Sequence, residues 1–142
     1  MIIRLQPQQI SALWESIRFG IIQSVAPITQ PTPEVLRNIL GELLKGDMQC
    51  WAAISENKDI YGYVITYIYE DSTKFRTLII YSLYMYTTMS KDNWDSFYDA
   101  VEKFAKINNC KRISAYSNNT VAISIAQKYG FLSDYTYLIK DI

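Results

Sequence analysis

Apolar residues recur along residues 8–25 with the spacing of one helix face: Ile10, Leu13, Trp14, Ile17 and Ile21 fall at i, i+3, i+4 and i+7 steps. Before them, Met1–Gln6 reads as a short strand that Pro7 ends. Pro27, Pro31 and Pro33 mark a break after the helix. Thr32 followed by Pro33 then has the form of an N-cap with proline at the first helical position. Val35, Leu36, Ile39, Leu40, Leu43 and Leu44 give this second helix its stripe, and Gly46 stops it.

From Met48 the period changes. Met48–Ser55, Ile60–Glu70 and Thr77–Thr88 read as strands, joined by turns at Asn57–Asp59 and Asp71–Lys74 into an antiparallel meander. The last two strands are apolar on both faces (Val64, Ile65, Ile68; Ile79, Ile80, Leu83, Met85), which implies a sheet covered on both sides, or on one side by a partner. Residues 92–108 carry the strongest helical stripe, Trp94, Phe97, Tyr98, Val101, Phe104 and Ala105. Lys111–Tyr116 is a further strand. Asn119–Tyr129 is a short helix with Ala122, Ile125, Ala126 and Tyr129 inward, and Gly130 sits just past its end. Phe131–Ile142 is expected to close the sheet as a strand or a pair. The class is α/β (α+β), one domain over residues 1–142, with a mixed, mostly antiparallel sheet of about six to seven strands flanked by about four helices.

Composition narrows the chemistry. Fourteen basic and fourteen acidic residues cancel, and no basic run exists, so no nucleic-acid surface is expected. The apolar stretches are strand-sized and no signal-peptide core is present, so neither membrane insertion nor export is expected, and a cytoplasmic protein, or one assembled into a particle inside the cell, is. Histidine is absent, which removes the commonest general base and metal ligand, and no metal site is expected. Cys50 and Cys110 lie on or beside the second and fifth strands, too far apart in the sheet to pair, and are expected as free thiols. Twelve tyrosines against 20% charged residues either line the strands or offer an adhesive surface along Tyr61–Tyr69 and Tyr81–Tyr86 to another protein or another copy of the chain.

The order of elements and the run from Asn119 to Phe131 resemble the GNAT N-acetyltransferases, the acyl-CoA N-acyltransferase fold, over essentially the whole chain: Asn119, Ala122, Gly130 and Phe131 stand at the family's spacings, and Asp59–Ile65 is similar to its third strand. The resemblance implies a pyrophosphate loop after the fourth strand, where glycines let the phosphate approach the main chain. Here the loop's basic position falls on Met89 and its glycine positions on Asp92 and Trp94, and there is no glycine from Tyr63 to Tyr129. Asp92 is expected to cap the helix 92–108, with Asp95 and Asp99 adding negative charge and Lys91 the only nearby cation. The family's tyrosine acid falls on Ala126, leaving Tyr129 and Tyr84 as weak catalytic candidates, and the strand 77–88 holds no carboxylate base. Were coenzyme A to bind, Met85, Tyr86, Ser90, Lys91 and Asn119 would line its path. The expectation is a non-catalytic GNAT-like module without cofactor, protein-binding or structural, such as a subunit of a phage or virus particle. The alternative is an active N-acetyltransferase moving acetyl from acetyl-CoA to an amine with an atypical loop.

Overall fold

The computed structural model describes residues 1–25 and 29–142; the break expected at Pro27 lies outside the described residues. Nine elements follow in the order β1 (Ile2–Arg4), α1 (Pro7–Val25), α2 (Pro33–Lys45), β2 (Met48–Ile54), β3 (Ile60–Glu70), β4 (Arg76–Met85), α3 (Lys91–Ile107), β5 (Arg112–Ala115) and α4 (Thr120–Lys128) among those residues. Their starts are written locally. Pro7 opens α1, and the Gln9 side chain accepts from the Gln6 N–H at 2.7 Å. Thr32 is extended and accepts from the Val35 N–H at 3.2 Å, while Gly46 ends α2 in the left-handed region at φ 87°.

One sheet takes the order β1-β2-β3-β4-β5, antiparallel except for the parallel β4–β5 pair. It holds five strands among the described residues rather than six to seven. The missing pairing is that of residues 131–142, which form no strand and carry Leu132, Tyr135 and Leu138 to the surface. Their apolar side chains do not by themselves make a strand, which exists only when a neighbour takes its backbone hydrogen bonds.

Both faces of the sheet are covered, as the doubly apolar strands imply. Ile10, Ile17 and Ile21 of α1 and Leu36, Ile39 and Leu43 of α2 pack on Cys50, Ala52, Tyr63 and Ile65. On the opposite face Phe97, Val101 and Ala105 of α3 pack on Trp51, Val64 and Leu78. Each buried Val, Leu, Ile or Phe among them contributes about 1.5–3 kcal/mol by leaving water. Tyr98, placed by its spacing on the sheet stripe, instead stacks on Tyr129 of the α4 end at 5.0 Å. Cys50 and Cys110 are both unpaired, as the strand order requires.

A bulge in β4 decides what the sheet presents. Ile65 faces Ser82 while Thr66 faces Ile80, so Tyr81 is the extra residue. Before it, Leu78 and Ile80 face α3; after it, Leu83 and Met85 do. The slip of phase sends Tyr84 and Tyr86 to the α1 face.

Candidate functional site

The strand end of β4 is the natural place for a site. Its pairing with β5 stops at Ile80↔Ala115, yet β4 continues to Met85. The Tyr86 N–H donates to the Tyr61 carbonyl at 2.6 Å, so by strand alternation the main-chain groups of Leu83 and Met85 point away from β3, into the gap that β5 leaves. β3 stays close behind them because position 62 is glycine: a Cβ there would come 2.8 Å from the Met85 Cα and collide with the Tyr84 carbonyl oxygen.

On the α3 side of this fork the chain closes on itself. Met89, in the basic position of the loop, is buried against α3. Ser90, not Asp92, caps α3: it is extended, and its Oγ accepts from the Asn93 N–H at 3.2 Å, while Asp92 lies inside the first turn. The loop leaves β4 so that Ser90 is the last non-helical residue, and only that position aims a side chain at the free N–H groups. Lys91 is bound to Asp95 at 2.8 Å, a surface pair, and the lysine pKa rises because of that carboxylate. Asp95 also accepts from the Tyr129 hydroxyl at 2.6 Å. This hydrogen bond pushes the Tyr129 phenol up to about 12, and Lys91 together with Tyr129 holds Asp95 below the usual carboxylate range. Tyr129 is thus a strap between α4 and α3, its hydroxyl donating to a carboxylate. Asn119 caps α4, its Oδ1 accepting from the Val121 and Ala122 N–H groups.

The loop 86–90 offers no glycine, one free α3 amide is taken by Ser90, the nearby lysine is paired, and two carboxylates stand in the first two turns. Among the described residues no group of His, Cys, Asp and Glu is arranged to hold a metal, and no helix is long and apolar enough to cross a membrane.

On the α1 side the fork is open. Tyr84 and Tyr86 form an aromatic cluster with Phe19 and Tyr63: Phe19 meets Tyr84 edge-on at 5.8 Å, and Tyr84 meets Tyr86 at 5.2 Å. Gly20 allows α1 this close, since a Cβ there would sit 3.3 Å from the Tyr84 Cβ. The Tyr86 hydroxyl donates to the Ser16 carbonyl at 2.8 Å, and burial raises its pKa. Met85 turns the other way, into the α3 cluster. The candidates therefore divide: Tyr84 and Tyr86 gather on one side, Ser90, Lys91 and Tyr129 on the other. Sequence reasoning missed Phe19 and the Tyr81 bulge. Phe19 carried a signal, an aromatic two residues off the α1 stripe.

No known family's sequence profile matches the chain, and no curated protein matches it. Solved structures do. A probable acetyltransferase superposes with TM-score 0.74 at 18% identity, over 100% of this chain and 99% of its own. A predicted acetyltransferase with acetyl-CoA from Clostridium acetobutylicum gives 0.75 at 19%, over 99% and 95%. An aminoglycoside acetyltransferase in complex with sisomicin, from an uncultured soil metagenomic sample, gives 0.72 at 17%, over 100% and 95%. The chain has the GNAT fold.

Proposed function

We propose that this protein uses the GNAT fold to bind rather than to transfer acetyl groups, as a protein-binding or structural module that is a subunit of a larger assembly. The observation that carries this reading is the start of α3, where Ser90 occupies one of the free amides and Asp95 ties up both Lys91 and Tyr129. A pyrophosphate would have to displace these contacts and sit beside Asp92 and Asp95. Charged phosphate hydrogen bonds are worth roughly 1.5–3 kcal/mol each, so the loss of two or three moves a micromolar site to millimolar or weaker. The residue facing the departing thiolate in this resemblance is Ala126, which has no proton to give.

The second reading, an N-acetyltransferase acting on an amine, is favoured by one feature. The free main-chain groups of Leu83 and Met85 could orient a thioester without any side chain, and proximity supplies much of a rate enhancement. Similar structures bear acetyltransferase names, one of them with acetyl-CoA. Calorimetric titration with acetyl-CoA separates the two. Binding absent, or weaker than about 100 μM, supports the first reading; a dissociation constant below about 10 μM makes the enzyme the better account.

A further inference from the structure

A groove of about 200 Å³ runs between α1 and α2, lined by Trp14, Arg18, Pro33, Leu36, Arg37 and Leu40. Drug-sized sites hold roughly 300–1,000 Å³, so this one has room for a single ring and its substituent. Trp14 and Arg18 stand four apart on one flank of α1, and the α2 residues stand three and four apart, so each helix turns one row of side chains to the groove. Leu36 is buried and Leu40 half-buried, which gives the groove apolar carbon. The two guanidiniums are the only charges in the lining. Glu15 and Glu34 stand three residues before Arg18 and Arg37, the spacing at which Glu42 and Lys45 pair at 3.0 Å on α2. Yet among the described residues neither arginine makes an ion pair, although Arg18 is half-buried. Two like charges are thus held in one cleft with no acid in its lining to offset them.

We propose that this groove binds a small organic oxyanion: a carboxylate or phosphate monoester carried on one aromatic ring. The planar guanidinium fork matches two oxygens of either group at once. A cleft lined by one sign of charge concentrates its field, and a half-buried charge such as Arg18 is screened by salt less than an exposed one. The ring of the ligand gains from covering the Trp14 indole and the Leu40 side chain, which water now touches. A cation would meet repulsion from both arginines. The groove shares no residue with the β4 fork or the start of α3, so binding here holds whichever account of acetyl transfer is right.

The test uses the full chain without acetyl-CoA. Benzoate, phenyl phosphate, inorganic phosphate and neutral benzamide are titrated and followed by the NMR shift of the Trp14 indole N–H. Both aryl anions are expected to saturate in the millimolar range or below and to bind about four- to twentyfold more tightly than benzamide, from the two guanidiniums together. Inorganic phosphate, without a ring, should bind more weakly than phenyl phosphate by about threefold or more. Whichever aryl anion binds more tightly marks the acid group that the groove prefers. Arg18→Gln and Arg37→Gln are each expected to weaken both aryl anions about two- to fivefold and leave benzamide unchanged. Arg37→Lys keeps the charge without the fork and should still weaken them about twofold, while Lys103→Gln, on α3 across the sheet, should change nothing. Arg37 is exposed and Arg18 gives up no ion pair, so unfolding midpoints should hold. Equal affinity for benzamide and the aryl anions, inorganic phosphate binding as tightly as phenyl phosphate, insensitivity to both glutamine variants, or no saturation by about 10 mM overturns the proposal.

Discussion

Thr66→Val tests whether the sheet is held by polar as well as apolar contacts. Thr66 is fully buried; its hydroxyl donates to Gln49 Oε1 at 2.9 Å and accepts from Trp51 Nε1–H at 3.0 Å. Gln49 and Trp51 are themselves 5% and 7% exposed, so neither has water as a substitute. Valine keeps the shape and puts a methyl where the hydroxyl was, leaving an indole N–H and an amide oxygen unpaired. Each orphan costs about 1–3 kcal/mol, and the added methyl returns about 0.8. The net loss is about 1–5 kcal/mol, centred near 3, a large part of the 5–15 kcal/mol usual for a domain. Urea unfolding followed by tryptophan fluorescence should show a lower midpoint at unchanged m. Adding Trp51→Phe removes one orphan, so the double variant should lose less than the two single losses together, with coupling on the order of 1 kcal/mol. A loss under about 0.5 kcal/mol for Thr66→Val would refute the reasoning, because it would mean that water or a shifted side chain satisfies both groups.

Two further outcomes follow from the same geometry. Burial holds the Tyr63 phenol at about 12 and the Asp95 hydrogen bond does the same for Tyr129, above the ordinary value of about 10. The folded state therefore keeps protons that the unfolded chain loses, so their contribution is complete below pH 10 and falls away as pH rises from 10 to 12; absorbance at 295 nm should leave at least these two of twelve phenols un-ionised at about pH 11 until urea is added, and ionisation of all twelve near 10 in the native protein would contradict it. Leu132, Tyr135, Tyr137, Leu138, Ile139 and Ile142 are all exposed in the last segment, so the full chain is expected to scatter light above its 16.5 kDa monomer mass at about 100 μM, and a chain ending at Phe131 to be monomeric with a stability loss under about 1 kcal/mol; a strictly monomeric full chain would show that this surface recruits no second copy.

The sequence by itself determined the elements whose causes lie within a few residues. The stripes of α1, α2 and α3, the Thr32–Pro33 start, the Gly46 stop and the two-faced burial of β3 and β4 all follow from spacing, because side-chain direction repeats with local backbone geometry. The absence of glycine after β4 was equally plain. Choices between near-equal local options were not. Ser90 and Asp92 are both good caps two residues apart, and the path of the loop leaving β4 picked Ser90. Residues 131–142 are rich in apolar and aromatic side chains, yet nothing pairs them. The bulge at Tyr81 is invisible along one strand because it is a mismatch of two; it alone puts Tyr84 and Tyr86 beside Phe19 rather than α3. The same holds for the fork, which exists where β5 ends and β4 does not. Periodicity reports which face a residue turns inward, while register, an open edge and a groove wall depend on which distant segment arrives alongside, and that is decided only when the whole chain packs.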